Sequence, residues 1–341
     1  MLHDDLIGAR LKPNTQTHYS KLTVRVNSQG FRDDEPRPDS PYVVVFLGDC
    51  QTFGDGVQAE EAFPQRVGKL TGIRTLNAGC PGWNLEQCLL FLKKDTLQPR
   101  PKKVILGLYT GRLWNLTVPR NKKFLVDDGK TLLKYSSKIL SKQRQGSLLR
   151  TLHSYLSFNS YLYSYLKDCW KKESEQFKIL SHKILGTKIK LPPAAQVYLK
   201  SPKFSRTFNK TYQAMTLSSL KEMKSFCQNN GIALEVVLIP TFIETSNTLP
   251  EQWLSAYSLN NKEIDLTLPN KLVEKICEQN QIRFLNLLPV FQSTAGGGRN
   301  LYLLDGHLSA AGHALIAEAV SKELLGTSYP NTARSAENSP E

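Results

Sequence analysis

Tyr42-Val43-Val44-Val45-Phe46-Leu47-Gly48-Asp49-Cys50 is the stretch on which the fold turns. Its first six residues form an unbroken apolar run rich in β-branched side chains. A strand with one wet face alternates apolar and polar residues, so a continuous run indicates a strand covered on both faces, as in a parallel sheet between two helical layers. The run stops at Gly48-Asp49-Cys50, which places a glycine, a carboxylate and a thiol where such a strand ends.

Outward from this strand the pattern alternates. A helix is predicted around Glu60 to Leu70, a strand from Arg74 to Asn77, a helix from Leu85 to about Leu97 and a strand from Lys103 to Tyr109. After a break, a helix is predicted over about Lys210 to Asn229, a strand from Ala233 to Pro240, a helix from Pro269 to Asn280, a strand from Arg283 to Leu287, and a last helix from near Ser309 to about Leu325. Strands alternating with helices imply right-handed βαβ units, hence an α/β fold with a doubly wound parallel sheet.

The remaining segments set the domain plan. Residues 1–41 are polar and turn-rich and read as an irregular arm. The core occupies 42–117 and 211–325, interrupted by a basic, aromatic-rich insertion expected to be helical over 118–210, and 326–341 reads as a disordered tail. From Arg120 to Lys210, 20 Lys and Arg stand against five acids, so the insertion holds the whole of the net charge of +14. A solvated basic cap whose aromatics pack on the core is the plain reading of that segment. Contact with an anionic partner is the other: an acidic carrier protein, coenzyme A phosphates, an acyl-bearing tRNA or a membrane surface.

With 341 residues, 40% of them hydrophobic, the chain can bury one substantial core and a smaller unit. No stretch approaches the roughly 20 apolar residues that cross a bilayer, and the opening Met1-Leu2-His3-Asp4-Asp5 lacks the order of a signal peptide. A cytoplasmic protein is expected, with peripheral membrane contact left open. Six cysteines, at 50, 80, 88, 169, 227 and 277, form no CxxC pair and do not cluster with the histidines. Reduced thiols are expected, with no metal site and no cofactor.

Three separated blocks put polar or glycine residues just after predicted strand ends: FLGDCQTFGDGV (Phe46 to Val57), LNAGCPGWNLEQ (Leu76 to Gln87) and YLLDGHLSAAGHALIAEAV (Tyr302 to Val320). In an open parallel sheet such ends converge on one crevice. In these blocks the chain resembles the SGNH/GDSL hydrolases, especially bacterial esterases and acyltransferases with GDSxTxGxGV, NAGxPGxNxxQ and DGHxNxxGHxxIA. The resemblance covers most of the chain outside the insertion and implies a flavodoxin-like three-layer fold.

Carried over by position, the resemblance puts Cys50 where the family has its serine nucleophile, His307 on the base and Asp305 on the acid. It puts Gly79 on the glycine that joins the oxyanion hole beside the backbone N–H of Cys50. A thiol becomes a nucleophile when an imidazole takes its proton, and a carboxylate two residues from that imidazole can fix its tautomer and stabilise its cation. Asp49 is expected to hydrogen-bond the turn, and His313 to serve packing or capping.

Two positions depart from the family. Cys50 replaces serine, and where Gly-Asn-Asp is expected after the Lys103–Tyr109 strand the chain reads YTGRLWN, so Arg112 stands at the asparagine donor. Losing one such donor costs on the order of 100-fold to 1000-fold in rate. Arg112 could donate a charged hydrogen bond, or Asn115 could substitute if the turn shifts. Acyl transfer or ester and thioester hydrolysis through Cys50, His307 and Asp305 is one expectation, with an acyl donor as substrate. Transfer is slightly favoured, because a thioester intermediate resists water better than it resists amines and thiols. The other is a non-catalytic module binding a carbohydrate or acyl ligand.

Overall fold

A computed structural model describes residues 1–19, 22–37, 42–95, 101–112, 124–127, 131–135, 198–200, 202–245, 254, 260–294, 298–303 and 305–326. Its first elements correct the expectation of an irregular arm. The N-terminal residues form two antiparallel pairs, β1 (Leu2–Asp4) with β2 (Gly8–Arg10) and β3 (Thr15–Tyr19) with β4 (Leu22–Val26). These strands are three to five residues long. β1 and β2 are held by docking: Trp83 Nε1 donates to the Ala9 carbonyl (2.7 Å), Gln87 Nε2 donates to the Ile7 carbonyl (2.8 Å), and Lys94 pairs with buried Asp4 (2.8 Å), while in β4 the Thr23 N–H donates to Gln58 Oε1 (3.4 Å).

The core follows the predicted alternation: β5 (Val44–Gly48), α1 (Cys50–Phe53), α2 (Phe63–Thr71), β6 (Thr75–Gly79), α3 (Leu85–Lys94) and β7 (Lys103–Tyr109). Inside the insertion lies a β-hairpin, β8 (Phe124–Asp127) with β9 (Thr131–Tyr135), where only helix was expected. Leu2 of β1 pairs with Thr131 of β9, so the N-terminus and this hairpin share one four-stranded sheet, β2-β1-β9-β8. The chain then runs through α4 (Pro202–Asn229), β10 (Ala233–Ile239), α5 (Phe242–Thr245), α6 (Leu268–Gln279), β11 (Arg283–Asn286), α7 (Leu288–Gln292) and α8 (Ala310–Glu323). Helix α4 begins at Pro202, inside the segment assigned to the insertion. The rest of the insertion lies mostly outside the described residues, as does the tail from 327.

Strands β5, β6, β7, β10 and β11 form one parallel sheet in the order β11-β10-β7-β5-β6. This is the doubly wound order in which the chain starts inside the sheet, crosses to one edge and returns to build the other side. Successive side chains of each strand point to opposite faces. Val45 and Leu47 accordingly join one buried cluster with Leu89 and Leu92 of α3, Leu220 and Met223 of α4, and Val273 of α6. Val44 and Phe46 join the other with Phe63 and Val67 of α2 and Ile316 and Val320 of α8. The unbroken apolar run is explained: both faces of β5 are roofed. Each fully buried Val, Leu or Phe contributes roughly 1.5–3 kcal/mol over its exposed state. Among the described residues no helix is long and apolar enough to cross a membrane.

Candidate active site

The carboxyl end of β5 runs into a turn that only glycine permits. A Cβ on Gly48 would lie 2.1 Å from Thr52 Oγ1 and 2.7 Å from the Gly107 carbonyl oxygen. Asp49 caps α1 by accepting the Gln51 N–H at 3.0 Å. Cys50 is the first residue of that helix and is buried, at 5% exposure. Gly54 closes it in a left-handed conformation, φ +83°.

The second part of the site comes from the loop between α7 and α8, where Asp305 and His307 follow a 3₁₀ turn, Arg299–Leu301, and not the strand end that the sequence suggested. Tyr302 and Leu308 pair as an antiparallel bridge, Leu303 N–H donates to the His307 carbonyl (2.7 Å), and Gly306 turns with φ +89°. Within this tight loop Asp305 turns back on His307 twice. Its Oδ1 accepts the His307 N–H at 3.1 Å, and its Oδ2 stands 3.1 Å from His307 Nδ1. His307 Nε2 lies 3.8 Å from Asp55 Oδ2.

The structure brings Cys50, Asp305 and His307 together. Hydrogen bonds to Asp305, and then to Cys50, push His307 up to about 10, and the same contact with His307 holds Asp305 below the usual carboxylate range. A carboxylate at Nδ1 and the Cys50 sulfur within hydrogen-bond reach give the imidazole an orienter and a partner for proton exchange. The other described cysteines, Cys80, Cys88, Cys227 and Cys277, are buried and free, and burial pushes their thiols up, Cys227 and Cys277 to about 12. Cys169 lies outside the described residues. Among the described residues no group of three His, Cys, Asp or Glu is placed to hold a metal ion.

Gly79 is placed otherwise than the resemblance implied. Its N–H already donates to Asn77 Oδ1 at 3.0 Å, and a Cβ there would lie 2.4 Å from the Phe53 backbone nitrogen. Gly79 lets β6 approach α1 and offers no spare donor. Gly82, three residues on, is exposed at φ +86°, and its N–H meets no acceptor among the described residues. Trp83 N–H donates to the Cys80 carbonyl across the turn. Pro81-Gly82 at the centre of such a turn is the type II signature, a signal present in the sequence.

Arg112 ends a short 3₁₀ turn, Thr110–Arg112, directly after β7, so its backbone sits at the same sheet edge. Its side chain, and all of Asn115, lie outside the described residues. His313 is fully buried on α8, where its Nδ1 accepts the first N–H of α2, from Phe63, at 3.2 Å. Burial pulls this histidine down to about 3, so it is a neutral cap. Beside Asp49, Trp83, Asn84 and Tyr109 a cavity of about 20 Å³ lies under the ends of β5 and β7, room for one water molecule.

No family model and no curated protein matches this chain. Solved structures do resemble it. A lipolytic protein of the G-D-S-L family from Desulfitobacterium hafniense is 13% identical, over 82% of this chain and 97% of its own, with a TM-score of 0.42. A lipase/acylhydrolase from Enterococcus faecalis is 13% identical over 84% and 96%, TM-score 0.42. An acetylxylan esterase from Geobacillus stearothermophilus, solved as a catalytic mutant, is 12% identical over 84% and 94%, again at 0.42. Each likeness is partial. What can be argued about this site rests on its own residues.

Proposed function

We propose that this chain is a cysteine variant of the SGNH/GDSL hydrolases that moves an acyl group from an ester or thioester through Cys50. The observation that carries the reading is the placement of His307 between the Asp305 carboxylate and the Cys50 thiol, two partners that favour its cation. In the proposed cycle the Cys50 proton resides on His307, and the thiolate attacks the acyl carbonyl. The tetrahedral oxyanion collapses with release of the alcohol or thiol, which receives that proton. A thioester remains on Cys50. His307 then deprotonates the acceptor, which attacks the thioester and frees the thiolate. Oxyanion donors in this reading are the Cys50 amide and the Gly82 turn, with Arg112 and Asn115 as further candidates. The thioester favours transfer to an amine or thiol over hydrolysis. The basic insertion is assigned the docking of an anionic acyl donor or its carrier.

The test is intact-protein mass spectrometry after incubation with acyl thioesters. Wild type is expected to gain one acyl mass, Cys50→Ala to gain none, and Cys50→Ser to hydrolyse simple esters. Unchanged acylation of Cys50→Ala overturns the reading. The 5% exposure of Cys50 favours a second one, a non-catalytic module that binds a carbohydrate or acyl ligand at the old site. Folded wild type that binds acyl ligands and never acylates supports that alternative.

A further inference from the structure

Gln51 follows Cys50 in sequence, is buried at 2% exposure, and does not point to its own neighbourhood. Its Nε2 donates to the Gly306 carbonyl at 3.2 Å, and its Oε1 accepts the Leu308 N–H at 2.9 Å. Those groups flank His307 on either side, so one side-chain amide spans the peptide units that hold the imidazole. The two residues joined in this way are 255 and 257 positions away in sequence. Apart from the His307–Cys50 contact, the loop's other hydrogen bonds among the described residues are internal to it: Leu303 N–H to the His307 carbonyl, Gly306 N–H to the Leu303 carbonyl and His307 N–H to Asp305 Oδ1.

We propose that Gln51 is a positioning residue whose amide locks the His307 loop onto the nucleophile turn, setting the distance between the imidazole and the Cys50 sulfur. The amide suits this work because it offers one donor and one acceptor in a plane, which matches the carbonyl and N–H of a neighbouring backbone as a strand would. A carboxylate in its place keeps the acceptor and loses the donor. A methionine keeps the volume and loses both. The role rests on the reading that Cys50 reacts, but the geometry it controls is measurable without that reaction. Besides Gln51, the groups that face His307 are Asp305, Cys50 and Asp55.

The experiment compares wild type, Gln51→Met, Gln51→Glu and His307→Ala by two readouts. The first is the NMR titration midpoint of the His307 ring; the second is the rate of Cys50 alkylation by iodoacetamide between pH 6 and 10, followed by intact mass. Gln51→Met is expected to lower the midpoint by about one unit or more as the ring leaves its partners. It is also expected to slow alkylation at pH 7 by about 10-fold to 100-fold, the cost of a misplacement near 1 Å. Gln51→Glu adds a carboxylate near the ring that itself favours the cation, so it is compared by alkylation alone, where its rate should fall between Gln51→Met and wild type. A residue that merely fills space would lower the melting temperature and leave the midpoint in place. A Gln51→Met midpoint equal to wild type, in folded protein, overturns the proposal. If Gln51→Met fails to fold, the alkylation of Gln51→Glu at pH 7 decides: a rate equal to wild type overturns the proposal. Equal alkylation of wild type and His307→Ala would sink the proposed function, while the titration would still settle the role of Gln51.

Discussion

Arg32 donates through Nη1 to the carbonyl oxygen of Phe53, 21 residues further along the chain, at 3.1 Å. The same guanidinium reaches the carbonyls of Gly54 and Val57, and its plane covers the Phe53 ring at 4.8 Å. A cation at the carboxyl end of a helix satisfies its last carbonyls and opposes its dipole. The four-residue helix bearing Cys50 is thus held at one end by Asp49 and at the other by a side chain of the N-terminal segment. Arg32→Met keeps most of the bulk and strands those buried carbonyls, so urea melts should show a loss of about 2–4 kcal/mol. A change under about 0.5 kcal/mol would mean that the segment lies outside the cooperative unit.

His307 is raised to about 10 by Asp305 first and Cys50 second. A histidine whose cation the fold favours contributes stability that is complete below its ordinary value of 6.5 and is lost as pH rises through 10. Wild type should therefore lose stability relative to His307→Gln across that window, and Asp305→Asn should flatten the slope. Denaturant melts at pH steps from 6 to 10 check it; parallel curves for wild type and His307→Gln would contradict it.

Glu244 is fully buried at the carboxyl end of β10, where it accepts hydrogen bonds from Thr110 Oγ1, the Thr241 N–H and the Tyr198 hydroxyl. Burial pushes it up to about 7 in spite of these donors. For an acid raised in this way the contribution to stability is complete below the ordinary 4.5 and is lost as pH climbs through 7. Glu244→Gln should erase the pH dependence between 4.5 and 7, read by thermal melts in that range, and a slope that survives the substitution would refute the assignment.

Two glycines of the Leu76 to Gln87 block should respond differently to alanine. At Gly79 the added Cβ would meet the Phe53 backbone nitrogen at 2.4 Å, a collision that no rotamer relieves, with an expected loss of about 1–3 kcal/mol. At Gly82 nothing lies within 4 Å, so the loss is limited to backbone strain at φ +86°, about 1–2 kcal/mol. Under the proposed function Gly79→Ala is expected to change the melting temperature more than Gly82→Ala, which keeps its N–H. Equal melting temperatures for the two variants would show that the β6–α1 approach can relax.

The sheet was legible because its signal is local and repeated. Val44, Val45, Phe46 and Leu47 are apolar without interruption because alternate members face different helical layers. Each predicted core strand and helix is present, with ends displaced by a few residues except at α4, which begins at Pro202 and not near Lys210. The shortest strands carry no comparable signal: β1 and β2 are three residues each, and they are held because Trp83, Gln87 and Lys94 offer them partners, whereas β4, Leu22-Thr23-Val24-Arg25-Val26, does alternate. The hairpin Phe124–Tyr135 does carry a local signal, Asp128-Gly129 between two apolar runs, whereas its pairing with Leu2 spans most of the chain's first half and is a matter of tertiary structure.

The sequence by itself determined the doubly wound parallel sheet, the cap at Asp49 and the placement of Cys50 at a strand end, because periodicity and turn chemistry act over a few residues; Asp305 and His307 follow a 3₁₀ turn and not a strand. Only the tertiary structure decided that Gln51 grips the His307 loop, that Arg32 closes the helix of Cys50, and that Gly79 has spent its N–H on Asn77. Those facts depend on which distant backbone groups arrive beside a side chain, and burial, with its demand that every polar atom find a partner, is what selects them.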